Sequence, residues 1–542
     1  MTRFTSYGPV DEKRHYHVPR TELINQAFNE VMGEEPAQGG HYITVWAPRQ
    51  AGKTWVLQNV LWRIRENAEY DWIDAVKVNL QDLKLFSDAN EVASIITSRI
   101  LRELGIDPKQ FPLPKNLYEF SEIFTHAVLK RPLILIMDEF DALQPHIITA
   151  IAGVFRNIYI HRSEQRDKTT AEKYYLLHGV ALIGVRSVLG IENKSGSPFN
   201  IQRSVKIPNL TYAEVKDLFH QYIEERGQII EQDVIDRVYY EVRGQPGLTC
   251  WIGELMTEKE KFNPTPTQPI IMAQFEYTYS HASNTQPNAN ITNLIQKARE
   301  PKYKERVIEL FQTIDKVDFS FDDEELNFLY MNGVIDYEEV DADQYAKFPN
   351  PFVQKRLFNA FAREMFRRLG QLHAPFIEMD NIINETSLNV PNILRLYEGY
   401  LQKNRQQVLK NAPLRADLHV HEATFHFHLY KYLSDFMKPK GGQVVPEFPT
   451  GNGQIDLLIH HAGEIYGLEV KSFSGQYEYK KALVQTAKYA KKMGWSVAWL
   501  VFFTEQIDDK NRAKYEVTYH DEERNVTIEI VFVQTGEALE KG

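Results

Sequence analysis

The run Val45-Trp-Ala-Pro-Arg-Gln-Ala-Gly-Lys-Thr-Trp55 stands between an apolar, strand-like stretch and a helical one, Val56 to Asn67. Such a junction presents loop N–H groups and a helix N-terminus, both positive dipoles, to phosphate. Gly52 permits close backbone approach, Lys53 reaches the β- and γ-phosphates, and the Thr54 hydroxyl completes a Mg²⁺ shell. Gln50, Ala51 and Trp55 belong to the same loop, and Ala47 stands where the P-loop pattern has its first glycine. A chance Gly-Lys-Thr at a strand–helix junction is the competing reading. A second motif about 85 residues downstream argues against chance. Leu133-Ile-Leu-Ile-Met-Asp-Glu-Phe-Asp141 is a buried strand ending in carboxylates. Asp138 would hold the Mg²⁺ shell and Glu139 would orient or deprotonate the attacking water. Asp141 reads more simply as a helix N-cap. Two motifs in order, each on its required element, predict an ATP or GTP site.

A second constellation lies near the other end. Gly453-Gln-Ile-Asp-Leu-Leu-Ile459 and Ile465-Tyr-Gly-Leu-Glu-Val-Lys-Ser472 are strand-like runs joined by a short loop. Strand side chains alternate, so Glu469 and Lys471 share one face, and Asp456 can meet them across the hairpin. Two carboxylates suit Mg²⁺ or Mn²⁺, which polarises a phosphodiester, while an ammonium stabilises the developing charge. Alternating charge on an exposed strand would also produce Glu-Val-Lys. Glu422 begins a helix whose other inward positions are Phe425, Leu429 and Phe436. Gln485 and Tyr489 are four apart and share a helix face. His419, His421, His426, His428, His460 and His461 cluster here, but i, i+2 pairs diverge on a helix; partial exposure explains them better than zinc. Tyr430, Tyr432 and Phe436 read as core. Lys480, Lys481, Lys488, Lys491 and Lys492 are either a solvated face or a phosphate-tracking strip.

The elements that must position these groups are α/β. Short apolar runs (Tyr42 to Ala47, Ala75 to Val78, Leu133 to Met137, Gly179 to Val185) alternate with amphipathic stretches, as in a parallel sheet. Tyr212 to Arg226 and Gln232 to Val242 have helical spacing, and Lys261-Phe-Asn-Pro-Thr-Pro-Thr-Gln-Pro269 is a breaker cluster. Short helices follow at Arg306 to Thr313, Asp323 to Met331 and Asn350 to Phe361, with a hairpin (Gly333 to Phe348) before the last: the outline of a winged helix. The last unit carries helices at Glu422 to Met437 and Tyr477 to Met493, and strands at Ser496 to Phe503 and Val526 to Gln534. Length predicts three or four folding units at roughly 150 residues each. The expected boundaries are an ATPase core at 1–210, a helical lid at 211–260, a linker at 261–292, a winged helix at 293–375, a helical spacer at 376–411 and a last domain at 412–542.

With 62 Lys and Arg against 73 Asp and Glu, the net charge is −11, which excludes indiscriminate coating of nucleic acid and leaves room for a local basic cleft. A single cysteine, Cys250, excludes an intramolecular disulfide. Apolar runs are far shorter than the ~20 residues needed to span a bilayer, and no secretory signal is visible. The chain is expected to be cytoplasmic, with no membrane partner.

The nucleotide motifs resemble P-loop ATPases of the AAA/STAND group, especially prokaryotic AAA-like ATPases fused to nucleases, over about residues 12 to 375. Val18-Pro-Arg-Thr-Glu22 is similar to that group's nucleotide-proximal segment. Gly184-Val-Arg186 looks like the sensor-1 position, with Arg186 as γ-phosphate sensor. Gly244-Gln-Pro-Gly247 resembles the Gly-x-Pro lid element, and Asn350-Pro-Phe-Val353 fits the winged helix that follows. Arg156, Arg162 and Arg203 are arginine-finger candidates or, more simply, surface or salt-bridged residues. Residues 412 to 505 resemble the PD-(D/E)XK nuclease superfamily in its RecB-like branch: Glu422, Asp456, Glu469, Lys471, Gln485 and Tyr489 follow the family order, with Ile455 in place of the proline. That resemblance implies metal ligation by Asp456 and Glu469, catalysis by Lys471, a further ligand or orienter in Glu422, and DNA-backbone contacts from Gln485 and Tyr489. Together the resemblances imply an ATP-dependent or ATP-regulated DNA nuclease, endo- or exonucleolytic, using ATP and Mg²⁺ or Mn²⁺. They suggest a homo-oligomer through the ATPase domain and a role in defence or mobile-element DNA processing. RNA as substrate stays open. So do a STAND-like signalling switch with a nuclease effector and a DNA-binding regulator whose nuclease-like domain does not cleave.

Overall fold

The computed structural model describes residues 2–8, 10–184, 203–311, 316–367, 369–374, 377, 379–410, 422–447 and 455–536. Two compact units emerge: residues 1–239, 243–278 and 331–333 in one, and 240–242, 279–330 and 334–542 in the other.

In the first unit the four apolar runs and one further strand pair in parallel. These are β1 (Tyr42–Trp46), β2 (Asp74–Asn79), β3 (Leu133–Asp138), β4 (Leu177–Gly184) and β5 (Arg203–Lys206), in the order β2-β3-β4-β1-β5. β3 and β4 are buried along their whole length, which is why they read as unbroken apolar runs. One core lies between the sheet and the helices Thr21–Met32 and Lys53–Glu66. The other is filled from the helices Ala89–Glu103, Leu117–Glu122 and Pro145–Glu164. The chain leaves β1, crosses to the far edge at β2, and returns through β3 and β4. That route brings the carboxyl ends of β1 and β3 to one rim, the usual place for ligands in such a sheet. The helices Tyr212–Arg226, Gln232–Val242 (its last three residues counted with the second unit) and Pro246–Glu258 follow. The first of them opens on a reciprocal Thr211–Glu214 capping box.

The second unit runs in the order helix, helix, hairpin, helix: Lys304–Glu309, Glu324–Met331, β6 (Asp336–Val340) with β7 (Asp343–Lys347), then Pro351–Met365. The hairpin turns on Asp341 and Ala342, both at positive φ, as its tight turn requires. Asp336, Glu338, Glu339, Asp341 and Asp343 make it acidic. A mixed six-stranded sheet follows: β8 (Gln443–Glu447), β9 (Ile455–His461), β10 (Glu464–Ser472), β11 (Val497–Thr504), β12 (Thr518–Asp521) and β13 (Val526–Gln534), in the order β12-β13-β11-β10-β9-β8. The helix Gln476–Met493 covers one face through Tyr479, Ala482 and Leu483 packed with Leu500 and Phe502. The helix Glu422–Met437 lies on the other face, where Phe425 and His426 meet the Phe503 ring at 5.8 and 5.7 Å.

Four expectations change. The expected linker at 261–292 contains the helix Met272–Asn284 and the start of Ala289–Ala298. Phe275, Tyr279 and Ala282 form a buried stripe that the surrounding Asn and Ser residues conceal in sequence. The expected spacer is a helix, Val390–Leu409, with a buried face of Val390, Ile393, Leu394, Tyr397 and Leu401. Its Gln402 and Arg405 donate to carbonyls at the end of β13 and just beyond, so it is part of the C-terminal fold. Strands β8 and β12 were not expected. Partial exposure holds for His460 but not for His426, His428 and His461, which are buried. His419 and His421 lie outside the described residues. Among the described residues no helix is long and apolar enough to cross a membrane.

Burial, opposed by no hydrogen bond to either ring nitrogen, lowers the His426 pKa to about 4 from 6.5. A depressed folded-state value means that the unfolded chain takes up the proton first. The stability is fully present above pH 6.5 and is lost as the pH falls toward 4. At about 1.4 kcal/mol per pKa unit, the loss is on the order of 3 kcal/mol. His426→Phe keeps a ring against Phe503 and should flatten the fall in Tm between pH 6.5 and 4; an unchanged slope would refute this origin.

Candidate functional sites

The loop after β1 turns on two residues at positive φ, Gln50 (59°) and Gly52 (93°), and Gly52 caps the helix that starts at Lys53. A left-handed Gln50 is strained for a residue with a Cβ, and such strain collects where a loop must present its backbone to a ligand. Lys53 is buried and donates to the carbonyl oxygens of Ala47 (2.8 Å) and Pro48 (3.1 Å). Burial pulls its pKa down, while Asp141, Glu139 and Asp138 pull it up. Thr54 Oγ1 donates to the Asp138 carboxylate at 3.2–3.3 Å, so the hydroxyl and the carboxylate on neighbouring elements meet as oxygen donors. This pair fits a Mg²⁺ ion that keeps most of its waters. Lys77 on β2, which the motifs did not flag, forms an ion pair with Asp138 at 3.2 Å. Glu139 stands at φ 56° and its N–H donates to Asp138 Oδ1 (3.1 Å). Burial, with the Asp141 charge next, raises the Glu139 pKa, as suits a base that must hold a proton.

The lid turn Gly244-Gln-Pro-Gly247 touches this loop directly. Gln245 Nε2 donates to Arg49 O (3.1 Å), and Gly247 N donates to Gln50 O (3.1 Å). A Cβ on Gly247 would stand 2.5 Å from the Gln50 side chain, so only glycine fits. Beside them an apolar pocket is lined by Tyr16, His17, Ala51, Gly52, Trp55 and Pro246, among others. The His17 and Trp55 rings meet edge-on at 5.6 Å. Val18 and Arg20, from the segment expected near the nucleotide, line one wall; Thr5, Val10, Tyr16 and His17 complete it and were not expected, being far in sequence from the loop.

Asp141 caps no long helix. It lies inside the short turn Phe140–Ala142, against Gly184, and Gln144 precedes the next helix. Arg162 is buried and donates to Thr170 and Tyr175, a core role rather than a finger or a surface residue. Arg203 pairs with Glu30 and Glu34 (3.3 and 3.2 Å), and Arg156 is half-buried. Arg186 lies outside the described residues.

In the C-terminal sheet, antiparallel register sets Asp456 opposite Glu469. Lys471 Nζ stands 2.8 Å from Glu469 Oε1 and donates to Gln485 Oε1 at 2.6 Å. Three of the expected residues thus form a connected chain, with Asp456 beside it. Asp456 and Glu469 are only 2% and 7% exposed, and among the described residues Asp456 Oδ1 and Glu469 Oε2 accept no hydrogen bond. Burial and the nearby Glu469 and Glu447 charges push the Asp456 pKa well up, against Lys471. Glu-Val-Lys is therefore not an exposed charged strand. Tyr489 lies one turn beyond Gln485 with its ring against Trp495 (5.7 Å). The helix Glu422–Met437 starts at Glu422, whose side chain lies outside what is described. Lys480, Lys481, Lys488, Lys491 and Lys492 are exposed on or beside the helix that carries Gln485. Among the described residues no three His, Cys, Asp or Glu side chains converge as a metal site.

Residues 6–262 match the family described as "AAA-like domain", and this part of the chain is an AAA-like P-loop ATPase domain. No curated protein matches the chain. Solved structures similar to it include Orc1 of Aeropyrum pernix in complex with DNA, at 15% identity over 65% of this chain and 94% of that one, with a TM-score of 0.34. A Walker-type ATPase of Pyrococcus abyssi is 13% identical over 65% and 99%, with a TM-score of 0.42. The RuvB Holliday junction branch migration motor of Thermotoga maritima is 13% identical over 63% and 95%, with a TM-score of 0.33.

Glu139→Gln removes the carboxylate expected to act as the base and leaves the loop, Lys53 and Thr54 in place. It should lower kcat for ATP by about 100-fold or more while ATP affinity stays within a few-fold. Equal turnover in parent and variant would remove Glu139 from the mechanism.

Proposed function

We propose that the protein is an ATP-regulated, metal-dependent DNA nuclease, with the nucleotide loop and the carboxylate–lysine cluster as its two chemical sites. The observation that carries the reading is the buried pair Asp456 and Glu469, each with an oxygen that accepts no hydrogen bond, beside Lys471 held by Glu469 and Gln485. Burying such carboxylates costs stability, so packing does not account for them. Their orphaned oxygens fit a divalent cation, and Asp456 and Glu469 would hold it. Bound there, Mg²⁺ or Mn²⁺ would polarise a phosphodiester and lower the pKa of a bound water. Lys471 is placed to orient that water or to offset charge building on the phosphate. The exposed lysines of the neighbouring helix offer a strip for the DNA backbone, within a chain whose net charge is −11.

At the nucleotide site, Lys53 and the loop N–H groups hold phosphates, Thr54 and Asp138 would hold Mg²⁺, and the aromatic pocket beside Trp55 suits a flat base. Glu139 draws the proton from the attacking water. The lid turn bonded to Gln50 is the element that a change in bound phosphate would move, and that movement would license cleavage within an oligomer. The acidic β6–β7 hairpin disfavours DNA reading by the hairpin itself, which weakens the alternative of a non-cleaving DNA-binding regulator.

The test incubates the full chain with Mg²⁺ or Mn²⁺ and linear, circular or single-stranded DNA, or RNA, with and without ATP. Cleavage by the parent, lost in Asp456→Ala and stripped of its ATP response in Lys53→Ala, is the expected result. An Asp456→Ala variant as active as the parent would end the nuclease reading. A Lys53→Ala variant with full ATP response would end the coupling.

A further inference from the structure

Asp456 has a second carboxylate neighbour that the motifs did not flag. β8 runs antiparallel to β9 with Glu447 opposite Asp456, and β9 runs antiparallel to β10 with Asp456 opposite Glu469. Directly opposed residues on adjacent strands share a face, so Glu447, Asp456 and Glu469 form one row across three strands. Like charges in such a row repel unless a cation stands among them.

Glu447 is paired with a buried ammonium. Lys355, on the helix Pro351–Met365 and 1% exposed, stands 2.8 Å from Glu447 Oε1 and 3.3 Å from Glu241 Oε1. Its ammonium also lies 4.7 Å from the centre of the Tyr279 ring, and the Tyr279 hydroxyl donates to Glu241. Asp456 and Glu469, by contrast, keep oxygens without hydrogen-bond partners. Two acids of the row thus pair with a lysine, Glu447 with Lys355 and Glu469 through Oε1 with Lys471, while Asp456 Oδ1 and Glu469 Oε2 stay open to a ligand.

We propose that Glu447 is the third carboxylate of the cation site, and that Lys355 is its built-in counter-ion, exchanged for a divalent cation when one binds at Asp456 and Glu469. The inference rests on the cation site of the proposed nuclease. The exchange breaks the Lys355–Glu447 ion pair and leaves Lys355 with Glu241, so no ammonium is left unpaired in the interior. It also explains why three acids aligned by register do not converge on one point: the third is turned to Lys355.

The experiment is Mn²⁺ binding to the full, nucleotide-free chain, read by loss of the free-Mn²⁺ paramagnetic resonance signal, with no cleavage assay. The parent should bind, and Asp456→Asn should not. Glu447→Gln and Glu447→Asp should each weaken binding by about tenfold, the first by removing the charge and the second by shortening its reach. Thermal unfolding in EDTA should leave Glu447→Gln close to the parent, because Lys355 keeps Glu241. If Asp456→Asn abolishes binding while both Glu447 variants bind like the parent, the role of Glu447 is overturned and the site stands without it. If only Glu447→Gln weakens binding, the effect is Coulombic and ligation is overturned. If the parent does not bind Mn²⁺, the cation site fails and this inference fails with it.

Discussion

A carboxylate taken out of water must find its counter-charge close by, and both candidate sites of this protein are organised by that requirement. Desolvating one such ion costs several kcal/mol, repaid only by good geometry and further hydrogen bonds. At the end of β3, Asp138 meets Lys77 from the adjacent strand, the Thr54 hydroxyl and the Glu139 N–H. In the C-terminal sheet, Glu469 meets Lys471, and Glu447 meets Lys355. Asp456 stands apart, buried beside two other acids, with its pKa pushed well up. There, and at Glu469 Oε2, compensation among the described residues is incomplete.

The apolar scaffold makes these charges possible. β3 and β4 are buried along their length, so Asp138 ends a strand packed into the sheet and Glu139 follows it directly. Around the second site, Leu468 and Val470 anchor one face of β10 in the core while Glu469 and Lys471 take the other. The helix Gln476–Met493 then closes over that second face and brings Gln485 to Lys471. Hydrophobic burial is nondirectional and sets the layers. Electrostatic geometry within the layers sets the sites.

Much of this was legible in the residues. The apolar runs Tyr42 to Ala47, Leu133 to Met137 and Gly179 to Val185 marked strands to within a residue or two, because a doubly covered parallel strand has no polar face to confuse the pattern. The helices Tyr212–Arg226, Gln232–Val242 and Glu422–Met437 were also legible, since each has an apolar stripe at helical spacing. What was hidden had a local reason. β8 contains Pro446 and follows Gly441-Gly442, so it reads as a loop; as an edge strand it tolerates the proline. The helix Met272–Asn284 is masked by its Asn and Ser residues. The buried histidines resemble surface ones in sequence because an imidazole, being amphipathic, occurs in both settings.

Residue types and spacing alone determined that a phosphate loop, a carboxylate strand end and a carboxylate–lysine hairpin exist, since each is written within about ten consecutive residues and depends on local geometry. Only the tertiary structure decided which partners those groups have. Lys77 for Asp138, Gln245 and Gly247 for Gln50, Gln485 for Lys471, and Lys355 for Glu447 all come from other strands and helices. The physical reason is that a Coulombic or hydrogen-bonded partner is chosen by distance in space over a few ångströms, while sequence records only distance along the chain.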